Sequence, residues 1–387
     1  MIINGERSLA YIVAIDDIEP IAGYDRVEYA HVGGWRVIIS KNDNLSIGDK
    51  CVYFEVDSKV PSDDERFAFL EKRNYKIKTI KMCKVISQGL LMPLSLFPEI
   101  KTDEINTDVS KILGVTYAVA EDNDRKAKVN KNAKYQSMAA RHQKIFKKKW
   151  ARWLMRRKWG RKFMFLIFGR KNDKPRQFPS FISRTDEERI ENCPWHCGDG
   201  KIYLVSEKLD GTSCTYALKR IKKNKYEFYV CSRNVRQQDE KQECYHDHNI
   251  YWDMAFKYNI EDHLRQFLES RPDCEWVCLQ GEGVGSVQGN PLKLDHDDLY
   301  IFNFITSTDG RISSLDGRSI IELWGMQWVP ILGMTELPAT IEEVKALATG
   351  NSVVNPQVMR EGFVYRSLDG KESFKNVSRE YLLKHNG

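Results

Sequence analysis

The stretch Ser206-Glu207-Lys208-Leu209-Asp210-Gly211-Thr212-Ser213 decides how this chain is read. It follows Ile202-Tyr203-Leu204-Val205, a β-prone run, so Lys208 stands at the end of a strand while Asp210 and Gly211 turn the chain. An amine so placed can attack an electrophilic phosphorus once it has lost its proton, which a neighbouring metal cation or other positive charge favours. Lys-x-Asp-Gly alone is weak: at average residue usage, on the order of one chain in ten of this length holds it by chance. A surface turn explains it equally well, so the flanking sequence must decide.

Downstream, Ser232-Arg233-Asn234 closes another strand. In the run from Gln280 to Asn290, QGEGVGSVQGN, four glycines surround Glu282. Such density lets the backbone approach a ligand while one carboxylate projects into the site. It is not a Walker loop, because no Gly-Lys-Ser/Thr follows. Then come Leu299 to Phe304, LYIFNF, whose Phe302 can stack on a base, EGFVYR with Glu361, and SFKNVS with Lys375. Each alone reads as a core aromatic, an exposed acid or an exposed lysine.

Their order and spacing change that reading. Lys-x-Asp-Gly, Arg-Asn, a Gly-Glu-Gly strand, an aromatic strand, Glu-Gly-Phe-Val and a terminal Phe-Lys resemble the six motifs of covalent nucleotidyltransferases, which include ATP-dependent ligases and mRNA capping enzymes. The resemblance spans Thr185 to Lys384. Just upstream, Phe178 to Asn192, FPSFISRTDEERIEN, is similar to RNA ligases that join 3′-hydroxyl and 5′-phosphate ends, where a Thr-Asp-Glu element precedes the nucleophile.

The resemblance implies an ATP-dependent RNA ligase of RNA repair. Lys208 attacks the α-phosphorus of ATP, the AMP passes to the RNA 5′-phosphate, and the 3′-hydroxyl then displaces AMP. By the same resemblance Asp210, Glu282 and Glu361 are the metal-site carboxylates, acting through water on Mg²⁺ or Mn²⁺. Glu282 and Glu361 also count among the nucleotide-binding residues. Lys375 offsets phosphate charge, Arg233 holds the nucleotide or its phosphate, Phe302 stacks on adenine, Glu207 meets the adenine edge, and Asn234 touches the RNA end or ribose. The implied partner is RNA with 3′-hydroxyl and 5′-phosphate ends on a nicked or bridged duplex, handled by a monomer. One departure stands out: where many relatives have two lysines separated by one residue, this chain reads Lys375-Asn376-Val377. That leaves open which residue contacts the α-phosphate in the first step, with Arg184 or Arg189 as candidates to assist at the β- and γ-phosphates.

Residues 1 to about 118 read differently. LAYIVAIDDI, RVEYAHV, WRVIIS, KCVYFEV, YKIKTIKMCKVI and GLLMPL are short β-prone runs separated by Gly23, Gly33-Gly34, the Asn42–Gly48 turn and Pro61. Strands of this number and spacing suggest an OB-type barrel. Only twelve residues follow Lys375, so the auxiliary OB module is expected ahead of the catalytic domain. Gly48 to Pro61 and Ile86 to Leu94 are similar to that of RNA ligases with an N-terminal OB domain. The expected class is therefore α+β. An OB-type β-barrel at 1–118 precedes a basic, partly helical connector at 119–177. A nucleotidyltransferase domain at 178–387 follows, an ATP-grasp-like adenylyltransferase with mixed and antiparallel sheets. Helices are expected at Asn259 to Glu269 and Thr340 to Ala348.

The connector conceals most of the charge. The net +6 is an average: Arg125 to Arg176 holds 20 of the 60 basic residues and one of the 54 acids, Asp173, a local charge of +19 against −13 elsewhere. Such a block suits a polyanion, since each Lys or Arg set on a phosphate releases condensed counterions. Within it, Phe146, Trp150, Trp153 and Leu154 alternate with Lys147, Lys148, Lys149, Arg152, Arg156 and Arg157. That pattern predicts a basic amphipathic helix over 145–168, open to a solvated bridging role, to nucleic acid or to a membrane surface.

The remaining composition narrows the class. The longest purely apolar run, Phe163 to Phe168, is too short to span a bilayer. The start MIINGERSLA lacks a signal-peptide pattern and the nine cysteines are scattered, which points to a reducing cytoplasm. Cys193, Cys197, Cys274 and Cys278 lack the common two-residue knuckle spacing of zinc sites. Buried thiols are expected there, and a surface pair at His246 and His248. A DNA ligase, a GTP-using capping enzyme and a non-catalytic RNA-binding protein are the competing classes.

Overall fold

The computed structural model describes residues 1–3, 6–118, 145, 148–155, 157–168, 176–222, 224–237 and 249–385. They pack as two compact units that do not follow chain order. One comprises Met1–Val119, Asp186–Leu209 and Pro330–Gly387; the other comprises Ala120–Thr185 and Asp210–Val329.

In the first unit, the N-terminal residues form short antiparallel sheets. Trp35–Ser40 buries Trp35, Val37 and Ile39 while the residues between them stay half-exposed, the period-two pattern of a strand with one face on a core. It pairs with Val27–Val32, which pairs with Asp17–Pro20. Lys50–Phe54 lies between Ala10–Ala14 and Leu90–Pro93. The run YKIKTIKMCKVI, expected as one strand, is largely a hairpin of Thr79–Met82 and Val85–Gln88. Cys83 and Lys84 both take positive φ, 53° and 63°, as a two-residue hairpin turn with matching twist requires. The turn at Gly33-Gly34 meets Glu191: a Cβ on Gly34 would lie 2.5 Å from its Cα.

The same unit holds a five-stranded sheet in the order Glu188–Arg189, Ser373–Val377, Gly362–Ser367, Ile202–Lys208 and Ile331–Glu336. The first pair is parallel and the others antiparallel. Tyr203, Val205, Phe363, Tyr365 and Phe374 fill its core. The helix expected near Thr340 is Ile341–Leu347, opened by a capping box of Thr340 and Glu343.

The second unit is built on an extended sheet. Arg176–Gln177, Val235–Arg236, Lys225–Ser232, Thr212–Lys222, Trp276–Val284, Asp298–Thr306 and Gly310–Arg311 follow one another, and Gln327–Trp328 adds in parallel to Asp298–Thr306. The helix expected near Asn259 is Ile260–Ser270, preceded by Ile250–Lys257 and followed after three strands by Ser314–Leu323. The single helix expected over 145–168 is instead two, Lys149–Met155 and Lys158–Phe168. They cross closely because residue 160 is glycine: a Cβ there would lie 2.2 Å from Leu154 O. Most of the remaining connector, and the His246/His248 pair, lie outside the described residues. No helix among the described residues is long and apolar enough to cross a membrane.

Candidate active site

Lys208 ends the Ile202–Lys208 strand opposite Gly362, the residue after Glu361. This register brings the amine to the acid: Lys208 Nζ donates to Glu361 Oε2 at 2.5 Å, with both side chains largely buried. On its other side Gly362 lies against Ser373–Val377, where a Cβ would sit 2.1 Å from Asn376 O. The glycine after Glu361 therefore lets the Lys375 strand close in beside it.

Lys375 lies on Ser373–Val377, opposite Val364, which in turn faces Ser206. Its Nζ donates to Asp186 Oδ1 at 2.9 Å. Burial pulls its pKa down to about 8, Asp186 resists that shift, and the charges of Arg7, Arg189 and Lys208 add to it. The Thr-Asp-Glu-Glu-Arg element earns its place one residue at a time. Asp186 holds Lys375, Glu187 accepts from Arg366 Nη2 at 3.2 Å, Glu188 accepts from Asn192 Nδ2 at 2.7 Å, and Arg189 Nη2 donates to Asp57 at 3.0 Å. Arg189 is buried, whereas its Nε and Nη1 have no hydrogen-bond partner among the described residues.

Sequence reasoning missed the support that the N-terminal residues give this sheet. Arg7 Nε donates to the buried Glu55 at 3.0 Å. Burial would raise the pKa of Glu55, but the positive charges around it, Arg7 foremost, hold it at about 2. Asn192 is the junction: its Oδ1 accepts from Tyr11 Oη at 3.0 Å and Trp35 Nε1 at 2.6 Å, and its Nδ2 also donates to Glu55 at 3.0 Å. No local pattern announces such a residue; the one signal is its place in the stretch just upstream of the Lys208 strand.

Glu207, next to Lys208 on the strand, is buried with Oε2 accepting from Val353 N at 2.8 Å. Burial raises its pKa. That hydrogen bond ties the strand to the loop at 352–355.

In the second unit Glu282 lies between Ser213 and Tyr300 on the two flanking strands. Several glycines at this place in the sheet lie against backbone. A Cβ on Gly211 would meet Gly283 O at 2.3 Å, one on Gly281 would meet Tyr300 O at 2.6 Å, and one on Gly285 would meet His296 O at 2.5 Å. Phe302 is the extra residue where the register shifts between Gln280 and Gly281, and such a bulge re-aims a side chain. Phe302 is half-buried, Asp210 is half-exposed, and Arg233 and Asn234 are exposed in the turn between Lys225–Ser232 and Val235–Arg236. Thr185 hydrogen-bonds Ser213 at 3.0 Å.

Asp210, Glu282 and Glu361 offer hard oxygen donors suited to Mg²⁺ or Mn²⁺. Among the described residues no three His, Cys, Asp or Glu side chains are gathered closely enough to ligate an ion directly. The described cysteines are free thiols: Cys193 Sγ donates to Arg189 O at 3.2 Å, and burial pushes Cys193 and Cys278 up.

Comparison with known proteins agrees with this arrangement. An RNA ligase family model matches residues 201–384, and an OB-fold domain model matches residues 9–94. No curated protein matches in sequence. Among solved structures, a Naegleria gruberi RNA ligase with PPi is 30% identical, with 98% of this chain and 99% of that chain covered and a TM-score of 0.75. A lysine-to-alanine variant of that ligase with ATP and Mn is 29% identical over 98% and 99% of the two chains, with a TM-score of 0.73. A glutamate-to-alanine variant with AMP and Mn gives the same identity, coverage and TM-score. With a relative of this identity aligned over nearly its full length, the chain belongs to the RNA ligase family and carries an OB-fold domain ahead of its ligase domain.

Proposed function

We propose that this protein is an ATP-dependent RNA ligase that works through a lysyl-adenylate on Lys208. The observation that carries the reading is the Lys208–Glu361 contact on a sheet that also buries Lys375. The ATP, AMP, PPi and Mn of the Naegleria structures support ATP as nucleotide and a divalent metal as cofactor.

In the first step the Lys208 nitrogen bonds to the α-phosphorus, the bond to the β-phosphate oxygen breaks, and pyrophosphate leaves. As an ion pair with Glu361, Lys208 is oriented but protonated, so its proton must pass to the Glu361 carboxylate or to water before the lone pair can attack. A divalent metal, when bound, would neutralise phosphate charge beside Asp210, Glu282 and Glu361. Lys375, held by Asp186, offsets the charge of the phosphates, and Arg189, whose Nε and Nη1 have no hydrogen-bond partner among the described residues, is the candidate for the β- and γ-phosphates. Phe302 stacks on adenine, Arg233 holds the nucleotide or its phosphate, and Asn234 reaches the RNA end or ribose. AMP then passes to the RNA 5′-phosphate and is displaced by the 3′-hydroxyl.

We assign residues 1–118 to the OB domain, 119–177 to the connector and 178–387 to the nucleotidyltransferase domain. The substrate is a nicked or bridged duplex with 3′-hydroxyl and 5′-phosphate RNA ends, and the setting is cytoplasmic, which the free thiols support.

Incubation with α-labelled ATP or GTP and Mn²⁺ tests the mechanism. Acid-stable label from ATP on the wild type, absent from Lys208→Ala, is expected; no label from either nucleotide would overturn the reading. Nicked duplexes with ribose or deoxyribose at the 3′-end then separate RNA from DNA joining, since the 2′-hydroxyl is the distinguishing group.

A further inference from the structure

The helices Lys149–Met155 and Lys158–Phe168 form a small hairpin with its own core. Ala151 and Met164 are buried between them, packed by Ile145, Leu154, Met155, Phe165 and Phe168. That core accounts for one apolar face of each helix. A second apolar face remains outside it: Trp159, Phe163, Leu166 and Ile167 are at least half exposed, Leu166 by 84%. Their spacing of four, three and one places them along one side of the second helix. On the first helix Trp150 and Trp153, three apart, are also half exposed. Trp153 meets Trp159 edge-on at 6.2 Å, joining the two stripes into one surface. Arg157 lies over the Trp153 ring at 3.9 Å.

The same twenty residues contain seven Lys or Arg and no acid. Six exposed large apolar side chains on one short hairpin form a patch that water disfavours and that marks an interaction site. Its chemistry distinguishes the partners a basic surface can serve. Single-stranded nucleic acid is held by aromatic rings and cations, which would employ the tryptophans but give Leu166 and Ile167 nothing to contact. An anionic bilayer uses the whole set: aliphatic side chains enter the acyl boundary, tryptophans sit at headgroup depth, and Lys and Arg meet lipid phosphates. At eleven residues the second helix is too short to cross, so the hairpin would lie in the interface.

We infer that the hairpin 149–168 is a peripheral membrane-binding element that docks on anionic phospholipid surfaces. The inference does not depend on the ligation chemistry.

The test is co-sedimentation of the full chain with phosphatidylcholine vesicles with and without phosphatidylglycerol, alongside tryptophan emission. Binding that requires phosphatidylglycerol, weakens with salt and shifts emission to the blue is expected. The triple variant Phe163→Ser, Leu166→Ser, Ile167→Ser should bind the same vesicles more than about tenfold less, with unchanged circular dichroism, thermal midpoint and lysine labelling by ATP. If the hairpin of that variant does not fold, Leu166→Ser alone, at the most exposed position, reports the same loss in smaller measure. Absence of binding to anionic vesicles at low salt overturns the proposal. So does binding that these substitutions leave unchanged, or an effect of them on RNA affinity alone, which would give the surface to RNA.

Discussion

Lys375 Nζ lies 2.9 Å from Asp186 Oδ1, an ion pair between residues 189 positions apart, and the lysine is buried. The pair fixes a cation on the sheet that carries Lys208, yet burial keeps that cation near the edge of ionisation. Its chemistry therefore becomes visible in pH dependence.

With its pKa at about 8 against an ordinary 10.5, Lys375 loses its charge as pH rises through about 8. Lysine adenylylation should fall along that limb, and Lys375→Arg, which stays charged, should move the limb upward even if its overall rate is lower. The stability sign is opposite. Between pH 8 and 10.5 the unfolded chain holds a proton the folded chain has released, so this group makes stability rise with pH across that window. Denaturation of Lys375→Met as a function of pH should lack that rise.

Glu361→Gln keeps the shape of the Lys208 partner and removes its charge. The amine then loses its ion pair and one metal-site carboxylate is gone. Adenylylation should fall by on the order of a hundredfold or more, with the thermal midpoint little changed. Single-turnover labelling with ATP gives the rate; a variant as fast as the wild type would remove Glu361 from the first step.

Gly362→Ala and Gly211→Ala place a methyl group against backbone oxygens at 2.1 Å and 2.3 Å. Neither neighbour is a flexible side-chain tip, so strands must separate. Each should cost about 1–3 kcal/mol in urea denaturation. Gly289→Ala has open space, but its φ of +78° is strained for an L side chain, so its cost should be smaller than either and not zero.

Lys345 and Glu191 form an ion pair buried from solvent, with Lys345 Nζ also donating to Val377 O at 3.0 Å. Lys345→Met alone strands a buried carboxylate and should cost about 3–5 kcal/mol. Adding Glu191→Leu removes the stranded charge and should recover much of that loss. A double variant no more stable than the single one would show that the pair organises the Gly33-Gly34 contact as well as balancing charge.

Much of this was legible in the residues. Alternation in WRVIIS and IYLVSEKL placed strands, and Asn259 and Thr340 marked helix starts. Where reading failed, the competing effect is identifiable. The Thr79–Gln88 hairpin turns at Cys83-Lys84, residues without the usual Asn-Gly signal, so periodicity ran straight through. The connector helix breaks before Gly160, whose absent side chain matters only because Leu154 O lies against it. Near Glu282, Gly281 and Gly285 lie against backbone oxygens of Tyr300 and His296, contacts that no local pattern announces.

The sequence by itself determined that Lys208 ends a strand before a turn, that Glu361 precedes a glycine on another strand, and that one stretch gathers +19 of charge. Period, turn residues and composition are local properties, and local physics reads them. Tertiary structure alone decided that Glu361 meets Lys208 across 153 positions, that Asp186 holds Lys375, that Arg7 and Asn192 brace the same sheet, and that Glu207 accepts from Val353 N. Those outcomes depend on strand order and register, which place charges from distant segments side by side and bury them, and no window of sequence contains that information.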